Sequence, residues 1–307
     1  MLSRTADHLY WMSRYMERAE NIARFLDVAN RLSLSGGARD ACWRPVLTIG
    51  GGEPGYASGQ GEVTPVGVIA YAVLDGANGS SMLSCLRAAR ENAHAVRSVI
   101  PSELWESINA TWLDAKTITG ARLREQGLVA FCDWVKDRSH LFRGATYGTM
   151  MRDEAFHFTR MGTFIERADN TARLLGVRAQ GVTADTRDAD PAEQLHWAAV
   201  LRSVSAYKAY RTLYRDGLSP AGVADLLILR DDMPRSLHAC LDKIAVDLQA
   251  LCASCECTRM AGGLHAELHF GRLASILGGG LDGAVNSFID RNNQLAAQIH
   301  ADFLMGV

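Results

Sequence analysis

One octapeptide is written twice in this chain. ERAENIAR occupies Glu17 to Arg24, and ERADNTAR occupies Glu166 to Arg173, 149 residues later. At 100° per residue, a helix puts Tyr10, Ser13, Glu17, Asn21 and Arg24 on one polar face. The second copy puts Thr159, Gly162, Glu166, Asn170 and Arg173 there. The opposite face is apolar in both: Met12, Met16, Ala19 and Ala23 in one, Met161, Ile165, Ala168 and Ala172 in the other. A face turned to water has no need of fixed residue types. Recurrence of Glu, Asn and Arg therefore predicts that the polar side is packed as well, in two related environments. A buried Glu then requires an Arg partner, with Asn bridging, because an unpaired buried charge costs about 3–5 kcal/mol. The alanines leave a shallow surface that another helix approaches at the close end of the usual range, about 8 Å.

Helical spacing continues outside the repeat. Met82 to Val99 reads as a helix capped by Asn78 or Ser80, and Ser102 opens another with an acid in its first turn. Asp190, Pro191 and Glu193 form a capping box, and Ser219 with Pro220 repeats the device. Pro234 to Met260 reads as one long helix, and Ala284 to Phe303 as the last. Strand signals are sparse. The fold expected is all-α, a multi-helix bundle forming one domain over 1–307. It is built from two related halves, near 1–148 and 149–307, with the two ERAxNxAR helices as neighbours. The exception is Ser35 to Pro65, dense in Gly, which reads as an irregular connector, with a lid or docking loop as the alternative. It lacks the Gly-Lys-Ser/Thr signature of a phosphate-cradling loop.

Composition excludes several classes. A formal net charge of −2 does not favour a nucleic-acid binder, which usually shows a concentrated basic face. Its basic residues are nearly all Arg, with Lys only at 116, 136, 208 and 243. No apolar run reaches the roughly 18 residues of a membrane span. Arg4, Asp7 and Arg14 interrupt any secretory h-region at the start. Seven scattered Cys give no disulfide framework. Together these predict a soluble protein of a reducing, bacterial-type cytoplasm.

At four blocks, two of which contain the repeated octapeptide, the sequence resembles the alpha-E family, a bacterial all-helical family. The blocks are LSRTADHLYWMSRYMERAENIARFLD, ARENAHAVRSVIPSELWESIN, LFRGATYGTMMRDEAFHFTRMGTFIERADNTARLL and LILRDDMPRSLHACL. The motif residues so matched are Glu17, Arg18, Asn21, Arg24, Arg90, Glu91, Asn92, Asp153, Glu154, Glu166, Arg167, Asn170, Arg173, Pro234, Arg235 and Ser236. The resemblance implies a setting beside a circularly permuted ATP-grasp ligase and a transglutaminase-like peptidase, sometimes with a proteasome-like peptidase. It implies formation or trimming of a peptide or amide product, and leaves open which step belongs to the alpha-E component.

Three roles follow for the polar stripes. The chain is a helical partner of an ATP-grasp enzyme that binds or shapes a peptide-like substrate, or an enzyme that itself forms or transfers an amide or peptide through Glu17 or Glu166, or a purely structural module. The candidate catalytic groups are Glu17, Glu166 and Glu154. The candidate ligand groups are Arg18, Asn21, Arg24, Arg167, Asn170, Arg173, Arg235 and Ser236, the last two at a helix start suited to a carboxylate or phosphate. Three Glu-x-x-His pairs (Glu91/His94, Glu154/His157 and Glu193/His196) have the spacing of carboxylate-bridged metal sites. However, Glu193 is already a capping residue. Cys252, Cys255, Cys257, His265 and His269 resemble a zinc set, but on one helix Cys255 and Cys257 point about 200° apart. These cysteines read as buried structural residues. No metal and no cofactor are expected.

Overall fold

Both octapeptides lie inside long helices, because each carries only one β-branched residue and no Gly or Pro to interrupt it. The first sits in α1 (Ser3–Leu34). The computed structural model describes residues 1–34, 39–50, 52–186, 190–215 and 217–304, and among these there is no strand. The described residues group into two compact units, Met1–Thr163 and Phe164–Val307. The helix bearing the second octapeptide runs across the division.

In the N-terminal unit α1 is the central rod. Helices α2 (Met82–Ala95) and α4 (Leu128–Thr149) pack along it, and α3 (Ser102–Ala115) packs on both of them. Because neighbours cover it on several sides, α1 is buried on both of its faces. Met12, Met16, Ala19 and Ala23 are at most 2% exposed, yet so are Tyr10, Ser13 and Glu17 across the helix. His8 of α1 also meets Asn92 of α2, with Nδ1 2.8 Å from Asn92 Oδ1. The second octapeptide lies in α5 (Glu154–Gly176). Early in α5, Gly162 meets α1 at close range: a Cβ there would lie 2.2 Å from the Tyr10 carbonyl oxygen and 2.3 Å from Ser13 Oγ. Only a residue without a side chain permits that approach.

The C-terminal unit continues with α6 (Pro191–Ser203), a helix at Pro220–Ile228, α7 (Leu237–Leu251), α8 (Glu256–Phe270) and α9 (Leu281–Ile299). The capping box at Asp190 and Glu193 is present, and Ser219 caps its helix through Gly222 N–H. Asn292 of α9 donates to the Ile165 carbonyl at 3.3 Å.

Several expectations are corrected. The stretch from Ser35 to Pro65 is largely helical where described, at Arg39–Ile49 and Glu53–Gln60, because Trp43, Leu47 and Tyr56 are drawn into the core. Residues 35–38 and 51 lie outside the described residues. The cap of α2 is Ser81, whose hydroxyl accepts from Ser84 N–H at 3.3 Å. Asn78 instead closes a local turn to Ser80 N–H. The single helix expected from Pro234 to Met260 is a hairpin of α7 and α8, broken at 252–255. Cys252 and Cys255 are joined there as a disulfide, so of the three neighbouring cysteines only Cys257 is a buried free thiol. Among the described residues no helix is long and apolar enough to cross a membrane.

Candidate functional site

The first copy of the octapeptide is a closed ionic cluster. Glu17 and Glu20 are 1% and 0% exposed. One turn on from Glu20, Arg24 reaches back and donates to Glu20 Oε1 at 2.8 Å. Two residues of α4 supply the rest. Ser139 Oγ donates to Glu20 Oε2 at 2.6 Å. Arg143 donates to Glu20 Oε2, to Ser139 Oγ at 2.9 Å and to Glu17 Oε2 at 3.2 Å. Both oxygens of Glu20 are thus occupied by donors, which is what a carboxylate removed from water requires. The sequence pattern calls for an Arg partner to Glu17 and the structure supplies one, but it is Arg143, outside the repeat. His140, also on α4, lies 3.9 Å from Glu20, and burial keeps its imidazole below the usual value despite that carboxylate.

The second copy is wired differently. Arg173 donates to Asp169 Oδ2 at 2.7 Å, the counterpart of the Arg24–Glu20 pair one turn apart. Asp169 Oδ1 is buried and has no hydrogen-bond donor among the described residues. Thr171 Oγ1 donates to the Arg235 carbonyl at 2.9 Å, and Arg167 Nη1 lies 3.5 Å from the Pro234 carbonyl. Arg167 is buried, with its guanidinium over the Phe164 ring at 5.1 Å. The second copy therefore holds the backbone of the Pro-Arg-Ser block.

Other candidate residues separate. Glu166 and Arg235 are buried, and Asn170 is half-buried. Asn21 is buried and Arg18 half-buried, with its guanidinium 5.7 Å from the Tyr15 ring centre. Ser236 is fully buried and caps α7, accepting from Ala239 N–H at 3.0 Å while donating to the Arg230 carbonyl. Its hydroxyl is thereby committed within the fold. Glu154 is exposed in the first turn of α5 and pairs with the Met1 ammonium at 2.7 Å. Arg90 donates to Asn109 Oδ1 at 3.3 Å and lies over Trp105.

Two clefts in the C-terminal unit are lined by residues outside the octapeptides. A polar cleft of about 570 Å³ opens beyond the end of α5, with Arg178, Asp190, Glu193, His196 and Asp282 on its walls. His196 Nε2 is buried there without a hydrogen-bond partner among the described residues, and burial, helped by the charge of Arg178, brings the imidazole down to about 4. A smaller cleft of about 230 Å³ is mainly apolar, lined by Leu237, Leu264, Leu268, Val285 and Phe288.

The metal-type spacings in the sequence resolve in an unexpected way. Glu193 is used in its capping box and Glu154 by the Met1 ammonium. Among the described residues the one grouping with metal-ligand geometry is His238, His265 and His269. His265 and His269 therefore associate with His238 of α7, a residue the sequence pattern had not singled out. The signal was present as two i,i+4 pairs on successive helices, His238/Asp242 and His265/His269, but reading Pro234 to Met260 as one unbroken helix hid the turn that brings them together. Burial and the neighbouring His238 and His269 rings push His265 below its usual value, against the pull of Asp242.

Fold and site together define an all-helical protein in which a Glu-Arg motif is built into two core helices. The chain belongs to the Alpha-E family, whose model, described as a predicted alpha-helical domain with a conserved ER motif, matches residues 1–304. Comparison with curated proteins and with solved structures found no match.

Proposed function

We propose that this chain is a non-catalytic helical partner in an ATP-grasp-linked system that makes or modifies a peptide or amide, and that it binds or shapes the peptide-like substrate. The observation that supports this over an enzyme acting through Glu17 is the condition of the first copy. A general base must reach the proton it takes, whereas Glu17 and Glu20 are sealed in the core and engaged by Arg143, Arg24 and Ser139. The second copy is the better place for a ligand. Asp169 and Arg173 form an ion pair whose side chains stay 18% and 33% exposed, so a peptide-like ligand can reach this pair as it cannot reach Glu17. The ATP-grasp ligase would supply the activated carboxylate, and a transglutaminase-like peptidase would act on the product.

The test is reconstitution with an ATP-grasp protein encoded by the same genome, following phosphate release and product by mass spectrometry. This chain alone should give no product, and the ligase should need it. Glu17→Gln should retain partner-dependent turnover in proportion to the folded fraction, and Asp169→Asn should weaken substrate capture. Product formed by this chain alone, or turnover abolished in a fully folded Glu17→Gln protein that still binds the ligase, would establish the enzyme reading instead.

A further inference from the structure

His238 and Asp242 stand one turn apart on α7, and His265 and His269 stand one turn apart on α8. The two helices pack as a hairpin. Its turn is closed by the Cys252–Cys255 disulfide and by Thr258 Oγ1 donating to the Cys252 carbonyl at 2.6 Å. The beginning of α7 therefore faces the end of α8, and the three imidazoles converge. One ring nitrogen from each lies within 4.8 Å of the other two, and the ring centres are 5.3–5.4 Å apart.

We propose that His238, His265 and His269 bind a single divalent transition-metal ion of the zinc class. Two features carry this beyond simple ring stacking. The first is the tautomer of His238. Its Nδ1 lies 2.8 Å from the Leu229 carbonyl, which can only accept, so Nδ1 carries the hydrogen and Nε2 presents its lone pair. A ring N–H donated to a backbone carbonyl is the usual way a metal-binding imidazole is oriented. The second is spacing. His238 Nε2 and His269 Nδ1 are 3.3 Å apart, and two nitrogens about 2.0–2.1 Å from a tetrahedral zinc ion are separated by roughly 3.3–3.4 Å. His265 and His269 stand on the open side of the cluster, half-buried and exposed respectively, so small side-chain rotations bring the third donor in. Asp242 Oδ1 lies 3.7 Å from His265 Nε2, just outside hydrogen-bond distance, and would become the positioning carboxylate for that ring once the imidazoles close on the ion. Three neutral imidazoles suit Zn2+, Ni2+ or Cu2+ rather than Mg2+ or Ca2+. Three protein ligands leave one coordination position open to water or to a ligand atom.

The site is tested on the full chain without a polyhistidine tag, titrated with Zn2+ against a chromophoric chelator and with Co2+ followed by visible absorption. One equivalent should bind, and Co2+ should give the intense absorption of a four-coordinate ion. Exposed His269→Ala, folded by circular dichroism, should lower affinity at least about 100-fold, and His238→Ala should do the same. Asp242→Asn should lower it about 10–100-fold. A Cys252→Ser, Cys255→Ser double variant should bind as the parent does. No saturable binding, His269→Ala binding as tightly as the parent, or binding lost in the cysteine variant and kept in His269→Ala would each overturn the assignment.

Discussion

The two octapeptides carry nearly the same side chains, yet the structure uses them differently. In the first, Glu20 has donors on both oxygens, two of them supplied by α4, and nothing of the carboxylate reaches solvent. In the second, Asp169 has Arg173 on one oxygen and, among the described residues, no donor on the other, and its side chain is 18% exposed. Glu is one methylene longer than Asp. At the first copy that reach places the carboxylate among Ser139, Arg143 and Arg24. At the second copy the outward interactions pass instead to Thr171 and Arg167, which hold the main chain at Arg235 and Pro234. A repeat in sequence is thus not a repeat in energetics: one copy is a saturated structural knot, and the other is a clamp with an acceptor to spare.

The largest expected effect comes from breaking the knot. Arg143→Ala leaves Glu17 and Glu20 short of a cation in the core and should cost about 3–5 kcal/mol, read as a lowered urea midpoint at unchanged slope. A loss under 1 kcal/mol would remove the distinction between the copies. Gly162→Ala drives a methyl into the Tyr10 carbonyl and should cost about 1–3 kcal/mol. Gly144→Ala, with open space around it on exposed α4 backbone, should stabilise by about 0.5–1 kcal/mol.

Beyond the end of the second-copy helix, His196 gives a pH signature. Its folded value, about 4, lies below the ordinary 6.5. The unfolded chain therefore binds the extra proton between these values, and the stability held above pH 6.5 is lost as pH falls towards 4. The loss should be about 2 kcal/mol after allowing for residual solvent access, and His196→Phe should flatten that part of a stability–pH curve. Thr171→Val removes one buried donor from the Arg235 carbonyl and should cost about 1 kcal/mol by denaturant titration. The smallest effect belongs to Arg173→Ala. Its pair with Asp169 is local and partly exposed, so thermal unfolding should report only about 0.3–0.5 kcal/mol. A cost matching that of Arg143→Ala would make the two copies equivalent after all.

Much of this was legible from residue order. The helical class, the capping box at Asp190, the Ser219 cap and the burial of a charged stripe all follow from local spacing and from the cost of leaving carboxylates unpaired. What was not legible concerns partners distant in sequence. Nothing in ERAENIAR names Ser139 or Arg143 as the groups that close it, because a donor 119 or 123 residues away is fixed by how α4 lies on α1. The glycine-dense stretch misled because Gly lowers helix propensity by only about 1 kcal/mol, less than the burial of Trp43, Leu47 or Tyr56 returns. The histidine cluster was missed because a turn at 252–255, within a strongly periodic segment, reverses the chain.

The sequence by itself determined that this protein is helical, that its Glu-Arg stripe cannot face water, and that it belongs with the Alpha-E proteins. Only the tertiary structure decided which copy is closed, which retains an unused acceptor, and which histidines meet. The physical reason is range: propensity, capping and amphipathic period act within a turn or two of the chain. Ion pairing and metal-ligand geometry depend on distances of a few ångströms between residues that only packing brings together.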